Sequence, residues 1–325
     1  MKKLLCIALA ALMCMSMLVF TSCDTEKDDG KYVVGICQLL PHEALDAATQ
    51  GFMDALKEEL GEENVEFLNE NAGNEIPVCT TIINNLVNKE VDLIMANATP
   101  ALAAAVNGTS TIPVLGTSIT EYGTALGIEN FDGLVGGNVS GTSDLAPLDQ
   151  QAQMIIDLFP EAKTVAMVYC LGEANSKYQV QEVKKFLEAE GITVIDKAFT
   201  DSNDVSVVAA AAAAEADVIY IPTDNTAAGC AETIGGVIGD TPVVAGEEGI
   251  CKGCGVATLT ISYYDLGVAT GKMAAKILKG EADISEMPIE YAATFTKKYN
   301  KNICEQLGID TADLEAKGYI AIEAE

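Results

Sequence analysis

The stretch Tyr32-Val33-Val34-Gly35-Ile36-Cys37 and the run at residues 43–60 that follows it decide the fold class of this chain. The first is a short apolar run, typical of a buried strand, whereas Leu45, Phe52 and Leu56 in the second recur at helical spacing. The same alternation of strand-like and helix-like segments continues through residues 65–68, 76–88, 91–96 and 113–116. Strands that alternate with helices of this length predict a parallel sheet with helices on both faces.

A second set of strands and helices follows a glycine-rich segment at residues 133–141. Strand patterns recur at residues 164–169, 192–195, 217–221, 243–244 and 256–259, with helical patterns between most of them. The chain has 325 residues, which suits two compact domains better than one. We therefore predict an α/β fold of two doubly wound parallel-sheet lobes joined near residue 141, where glycines let the backbone angles change.

The N-terminal residues have the order of a secretory signal. Two lysines precede an uncharged apolar run at residues 4–20, and Thr21-Ser22-Cys23 follows. That ending resembles a bacterial lipobox, which implies that Cys23 is lipidated. We predict a lipoprotein signal peptide and lipobox at residues 1–23 and a polar tether at residues 24–30, the alternative being an uncleaved anchor. Both arrangements place the globular part outside the cytoplasm, at the outer face of the bacterial cell membrane.

Charge and composition narrow the class of ligand. The formal net charge is −29, so the surface repels nucleic acid and anionic lipid. The chain contains no arginine, so a carboxylate or phosphate cannot be clamped bidentately. An amino acid zwitterion fits this composition better than a phosphorylated ligand, because its ammonium group can pair with Asp144, Asp224, Glu173 or Glu247. Tryptophan is absent too, which disfavours a sugar stacked on an aromatic face.

Polar side chains follow the strands of both predicted sheets. In open α/β sheets, ligands bind outside the carboxyl ends of the strands, so two facing lobes form a cleft lined by strand-end loops. The candidate ligand-binding residues are Gln38, His42, Thr99, Ser118, Ser143, Asp144, Asn175, Ser176, Thr223, Asp224, Asn225 and Glu247. Helix capping is the alternative role for several of them, namely Thr99 before Pro100, Ser176 in a capping box, and Asp224 or Asn225 before the next helix.

The sequence lacks the parts of the common catalytic and metal sites. His42 is the only histidine, so a histidine-rich zinc site lacks ligands, and the sequence shows no nucleophile–base pair of the kind that a serine triad needs. Cys251-Lys252-Gly253-Cys254 has no second CxxC to complete a zinc site, and we interpret it as a turn that can close a local disulfide. We expect most other cysteines after Cys23 to be buried thiols. We therefore predict no enzymatic activity, no metal and no cofactor, an extracytoplasmic enzyme on the same frame being the competing class.

Several motifs resemble those of the TrpX-like ABC transporter substrate-binding proteins. The most specific are Gly141-Thr142-Ser143-Asp144 and Pro222-Thr223-Asp224-Asn225-Thr226, and the resemblance spans residues 31–310. It implies the type I periplasmic-binding-protein fold, in which the chain crosses between the lobes three times. On that fold, the first lobe comprises residues 31–141 plus about 264–292, and the second comprises residues 142–263 plus about 293–325.

The same resemblance implies a function. Members of the family bind aromatic amino acids such as tryptophan, tyrosine or phenylalanine, and deliver them to an ABC permease with its ATPase. We expect a small-molecule ligand to close the two lobes around itself, and the N-terminal lipid to hold the protein at the membrane. A ligand-sensing lipoprotein, or a binder of a nucleoside or sugar on the same fold, is the alternative that the residues leave open.

Overall fold

The computed structural model describes residues 30–322. The predicted signal peptide, Cys23 and residues 24–29 of the tether lie outside the described residues. Within the described range, every helix is too short or too polar to pass through a membrane.

The first sheet is built mainly from the N-terminal part of the chain. Its strands are β1 Tyr32–Gln38, β2 Val65–Asn71, β3 Leu93–Asn97, β4 Val114–Ile119, β5 Val139–Ser143 and β11 Glu290–Tyr291. They lie in the order β11-β5-β4-β3-β1-β2, and every pair is parallel. The helices between them are α1 Glu43–Leu60, α2 Ile76–Asn88, α3 Thr99–Gly108 and α4 Tyr122–Leu126.

The second sheet is built from the following part of the chain and the C-terminal strands. Its strands are β6 Thr164–Cys170, β7 Thr193–Phe199, β8 Val218–Ile221, β9 Val243–Ala245, β10 Ala257–Thr260, β12 Thr296–Tyr299 and β13 Ile320–Ala321. They lie in the order β13-β12-β10-β9-β8-β6-β7, and only β12 runs antiparallel to its neighbour β10 among the described strands. The remaining helices are α5 Leu148–Leu158, α6 Ala174–Ala189, α7 Val205–Glu215, α8 Asn225–Ala228, α9 Ala231–Gly235, α10 Glu248–Cys254, α11 Tyr263–Leu278, α12 Lys301–Leu307 and α13 Thr311–Ala316.

The predicted α/β class, with two sheets that are almost entirely parallel, is confirmed. The chain leaves the first sheet after β5, returns to it through α11 and β11, and enters the second sheet again at β12. The first change of sheet lies at residues 144–147, after the glycine-rich segment, because residues 139–143 are still paired with β4.

Both faces of the first sheet are covered by helices. On one face α2 and α3 bury Ile83 and Leu102, and on the other α1 and α11 bury Phe52 and Met273. A strand that is buried on both sides places apolar residues at most of its positions, so it forms a nearly continuous apolar run. This double cover explains the composition of β1, from which the strand was predicted.

Helices α1 and α11 pack tightly against each other at Gly267. A Cβ atom on this glycine would lie 2.0 Å from the carbonyl oxygen of Ala48. Gly267→Ala is therefore expected to lower the free energy of unfolding by about 2–3 kcal/mol, because the helices must separate to admit the methyl group. Urea unfolding measures this change. Gly236→Ala is the matched control, since its Cβ would lie 3.5 Å from its nearest neighbour, and equal losses in the two variants would contradict the explanation.

Candidate functional site

A small cavity lies between the carboxyl ends of strands from the two sheets. It is lined by His42, Leu45, Asp144, Thr223, Asp224, Asn225, Ala228, Glu247 and Tyr263. Its volume is about 10 Å³, which is room for about one water molecule. A larger groove of about 580 Å³ adjoins it and shares His42 and Ala228 with it. Six of the predicted ligand-binding residues therefore meet here, namely His42, Asp144, Thr223, Asp224, Asn225 and Glu247.

Glu173, which precedes α6, organises one wall of this cavity. One of its carboxylate oxygens accepts hydrogen bonds from the backbone N–H and side-chain amide of Asn225, at 2.9 and 2.7 Å. The other accepts from the backbone N–H and hydroxyl of Thr226, both at 2.8 Å. The amide of Asn175 also donates to Glu173, at 3.1 Å. A carboxylate that is only 3% exposed is stabilised when several donors surround it, and these donors fix the start of α8.

Asp224 caps α8 and is itself buried in the same wall. One carboxylate oxygen accepts from the backbone N–H of Ala227 at 2.8 Å, and the other accepts from that of Cys170 at 2.7 Å. Burial and the nearby Glu173 carboxylate raise the pKa of Asp224 well above its ordinary value. The capping alternative that the sequence left open for Asp224 is therefore realised, while the side chain still faces the cavity.

Asp144 lies between β5 and α5, where the chain passes from one sheet to the other. Its Oδ2 accepts a hydrogen bond from the Tyr263 hydroxyl at 3.0 Å, whereas its buried Oδ1 has no partner among the described residues. Burial raises the pKa of this carboxyl to about 6. A buried acceptor without a donor lowers the stability of the protein. Asp144 is therefore placed to accept a hydrogen bond from a ligand.

Glu247 closes a further side of the cavity and caps α10. Its carboxylate accepts from the backbone N–H groups of Gly249 and Ile250, at 2.8 and 2.5 Å. Burial raises its pKa to about 7, although both hydrogen bonds oppose that shift. The cavity thus gathers three buried carboxyl groups that ionise only at some cost.

Three contacts join the parts of the chain on either side of the cavity. The His42 Nε2 atom lies 3.4 Å from Asn225 Oδ1, and burial lowers the pKa of His42. The Asn74 amide donates to the Thr226 hydroxyl at 3.1 Å. Lys252 pairs with Glu43 at 3.3 Å. Together these contacts hold the first sheet's loops against the acidic wall around Asp224.

Two predicted residues brace the site rather than line it. The Gln38 amide donates to the Leu40 carbonyl at 2.8 Å and to Asp46 at 2.6 Å, and its oxygen accepts from Thr49 at 2.6 Å. Ser143 donates to the Thr120 carbonyl at 2.8 Å. Because the hydrogen-bonding groups of Gln38 are already engaged within the first sheet's own elements, it positions the loop after β1.

The other four predicted residues are buried near the strand ends but do not line the cavity. Thr99 lines a separate pocket of about 320 Å³, and Ser176 accepts from the Asn175 amide at 3.3 Å. The Ser118 hydroxyl and the Asn175 Oδ1 atom are buried without partners among the described residues. Ser118 also has a φ of 56°, a strained backbone conformation of the kind that clusters at ligand sites.

Three predicted local structures are wrong. Thr99 does not cap α3, because the helix already includes it and Ala98 occupies the cap position. Ser176 does not form a capping box, since α6 begins at Ala174 with Glu173 as its cap. Cys251 and Cys254 lie in the helix α10, not in a turn, and their thiols are buried and free, as are those of Cys37 and Cys79. Each α10 thiol donates to a carbonyl of the local backbone, Cys251 to Gly255 at 3.6 Å and Cys254 to Ile250 at 3.4 Å.

The predicted set of ligand-binding residues lacks Glu173 and Tyr263, which belong to the site. Glu173 was predicted only as a possible partner of an ammonium group. The sequence does carry a signal for Glu173, because it follows β6 directly and precedes a helix, as the chosen residues do after their strands. Tyr263 carries no comparable signal. It reaches Asp144 only because α11 begins where the chain returns to the first sheet.

Comparisons with known proteins agree on one family. A family model described as "ABC transporter substrate binding protein" matches residues 33–316. A tyrosine-binding protein of Clostridioides difficile (strain R20291) is 31% identical over 304 residues, which cover 89% of this chain and 87% of that protein.

Solved structures agree with this match. A Streptococcus pneumoniae ABC domain in complex with L-Trp is 31% identical, with a TM-score of 0.84 over 90% of this chain and all of that one. A ligand-free, open substrate-binding protein with adhesive properties from Clostridium difficile is 33% identical over the same shares, with a TM-score of 0.68.

Proposed function

The chain belongs to the ABC transporter substrate-binding protein family, and on that premise we propose that it binds an aromatic amino acid between two lobes and presents it to an ABC permease. The family is one of binding proteins that work outside the cytoplasm. We further propose that the membrane partner is a permease with its ATPase, and that lipid on Cys23 anchors the protein beside it.

The observation that carries the ligand class is the set of buried carboxyl groups in the cavity. Asp144, Asp224 and Glu247 line it, and no lysine stands among the described residues of the lining. Such a site attracts a cation and resists an anion. The ammonium group of an amino acid can donate to the unpaired Oδ1 atom of Asp144, which removes the cost of leaving that acceptor without a partner.

The remaining parts of an amino acid have candidate partners nearby. Because the chain has no arginine, the ligand's carboxylate must be held by hydroxyl groups, helix N-termini or a lysine, and the unpaired Ser118 hydroxyl is a candidate donor. Leu45, Ala228 and Tyr263 supply apolar surface in the cavity lining for a side chain. The choice of an aromatic side chain rests on the relatives, one a tyrosine-binding protein and one in complex with L-Trp.

We propose that binding occurs by closure of two lobes, residues 31–141 plus about 264–292 and residues 142–263 plus about 293–325. An aromatic amino acid is far larger than a cavity of about 10 Å³, so the lobes must part to admit it. The structure resembles the L-Trp complex more than the open, ligand-free relative, at nearly equal sequence identity, which supports a closed arrangement. A ligand favours that arrangement only by binding it more tightly than the open one.

Isothermal titration with tryptophan, tyrosine, phenylalanine, a nucleoside and a hexose tests the ligand class. We expect an aromatic amino acid to bind with a dissociation constant of about 1 μM, a binding free energy of roughly −8 kcal/mol. Binding of the nucleoside or hexose without measurable binding of any aromatic amino acid would reject the proposal.

Asn225→Ala tests the location of the site. Asn225 contacts both His42 and Glu173, so its loss is expected to weaken binding at least about tenfold, because buried hydrogen-bonding groups lose their partner. Asn302→Ala is the matched control. Asn302 is exposed and follows β12, whose antiparallel direction places its end at the opposite edge of the sheet. An unchanged affinity in Asn225→Ala would exclude this cavity as the binding site.

A further inference from the structure

Two cysteines that lie far apart in the sequence meet in the core of the first sheet's helical cover. Cys37 is in β1 and Cys79 is in the first turns of α2. Both are free thiols that are 0% exposed and belong to one buried cluster. Each side chain shifts the pKa of the other, which is raised for Cys37 and lowered for Cys79. This contact plays no part in the site described above.

The geometry of the strand and the helix produces this contact. Gly35 and Cys37 point to the same face of β1, because alternate residues of a strand share a face. A Cβ atom on Gly35 would lie 2.7 Å from the Leu86 side chain, so this face is the one that α2 covers. Cys79 precedes Leu86 by seven residues, two helical turns, and therefore lies on the same face of α2. Since a helix between parallel strands runs antiparallel to them, Cys79 lies over the residue after Gly35 on that face, which is Cys37.

The other buried thiols with recorded hydrogen bonds donate to backbone carbonyls. Besides Cys251 and Cys254, Cys170 donates to the Thr200 carbonyl and Cys304 to the Val256 carbonyl, both at 3.7 Å. These four thiols are engaged by the backbone, whereas the side chains of Cys37 and Cys79 lie against each other in the same buried cluster.

We propose that Cys37 and Cys79 form a disulfide when the protein folds outside the reducing cytoplasm. The reaction is thiol–disulfide exchange with a small-molecule disulfide such as oxidised glutathione. One thiolate attacks that disulfide and releases one reduced thiol, and the second cysteine then displaces the other. The two cysteines lose two hydrogens, and two molecules of reduced thiol are formed. Because both sulfur atoms are buried in the fold, exchange takes place before the core closes, and the finished bond is shielded from reductant.

This disulfide would tie β1 to α2 and close a loop of about 40 residues, which restricts the unfolded chain. Formation of this disulfide does not depend on the ligand, so a test of the disulfide and a test of the proposed function can fail separately. It also differs from the sequence-based expectation, which placed a local disulfide at Cys251 and Cys254.

Peptide mapping of the protein refolded with oxidised and reduced glutathione tests the proposal. Trypsin cleaves after lysine, so Cys37 falls in the peptide 32–57 and Cys79 in the peptide 58–89. The expected result is one species with the combined mass of these two peptides, lost on reduction. Recovery of both peptides as alkylated thiols, or a bond between the peptides 198–252 and 253–272 that carry Cys251 and Cys254, would overturn it.

Thermal unfolding provides a second measurement. Protein refolded under oxidising conditions is expected to unfold about 5 °C above protein refolded in dithiothreitol. The double variant Cys37→Ser, Cys79→Ser should lose this difference, and the control double variant Cys251→Ser, Cys254→Ser should keep it. An oxidation-dependent shift that disappears only in the control would assign the bond to the CxxC pair instead. Should the serine variants fail to fold, the peptide map of the unsubstituted protein decides the question.

Discussion

Replacing Glu173 by alanine is expected to lower the affinity for the aromatic amino acid more than about 100-fold and to cost about 4 kcal/mol of folding stability. Five hydrogen-bond donors converge on this buried carboxylate, and they come from Asn175, Asn225 and Thr226. Alanine leaves these donors without an acceptor in a wall closed to solvent. The start of α8 then loses its fixed position, and Asp224 and Asn225 lose their orientation toward the cavity.

The variant Glu173→Gln separates the effect of the side chain's shape from the effect of its negative charge. Glutamine fills the same volume, but its NH₂ group faces donors where the carboxylate had an oxygen, so an intermediate loss is expected. Glu188→Ala is the control, because Glu188 is exposed on the same helix α6. Urea unfolding and isothermal titration measure the two effects. An affinity within threefold of the unsubstituted protein in Glu173→Ala would show that this carboxylate does not organise the binding wall.

The affinity for the aromatic amino acid is expected to rise about tenfold between pH 5 and pH 7, because the ligand's ammonium group pairs with an ionised Asp144. Burial raises the pKa of Asp144 to about 6. Below that pH the carboxyl is protonated and must lose its proton before it can pair. The protonated form also contributes stability to the ligand-free protein at low pH, and this contribution is lost as the pH rises through about 6. Both follow from the same proton, whose release at low pH opposes binding, so the bound form is favoured at the higher pH.

Asp144→Asn tests whether this carboxyl is the one that titrates. The variant should bind about 30-fold more weakly at pH 8, and its affinity should change little between pH 5 and pH 7. Glu247, Asp224 and His42 face the same cavity, and burial raises the pKa of Glu247 to about 7, so a smaller dependence at higher pH is expected to remain. Asp149→Asn, at an exposed position of α5, is the control. A tenfold rise that persists in Asp144→Asn would assign the titration to another group.

The order of strands and helices could be predicted because it depends on local periodicity. A strand buried on both faces is a continuous apolar run, as in β1, and a covering helix such as α1 repeats its apolar residues every three to four positions. The rule that ligands bind at the carboxyl ends of the strands then predicted residues that lie close together in the structure. Asp144, Asp224 and Glu247 lie far apart along the chain, yet each follows a strand whose carboxyl end faces the cavity.

The local sequence pattern predicted the contacts of a side chain less reliably where that side chain has two possible partners. Gln38 follows β1 and was predicted to face the ligand, but Thr49 and Asp46 on α1 engage its amide. Cys251 and Cys254 have a spacing that suits a short disulfide, but the residues between them continue a helix in which each thiol faces a carbonyl. In both cases the competing partner is one that the motif does not contain.

Composition and periodicity alone were enough to predict an acidic, two-sheet α/β chain and the strand ends at which we propose that a ligand binds. The three-dimensional arrangement was needed to identify Glu173 as the centre of the acidic wall, to bring Tyr263 onto Asp144, and to place Cys79 against Cys37. The physical reason is the separation of the contacting residues along the chain. The burial of one face of a strand or helix can be recognised from the pattern of neighbouring residues. The contacts named here join residues 42, 52 and 119 positions apart. Which of these residues meet is determined only by the packing of complete strands and helices.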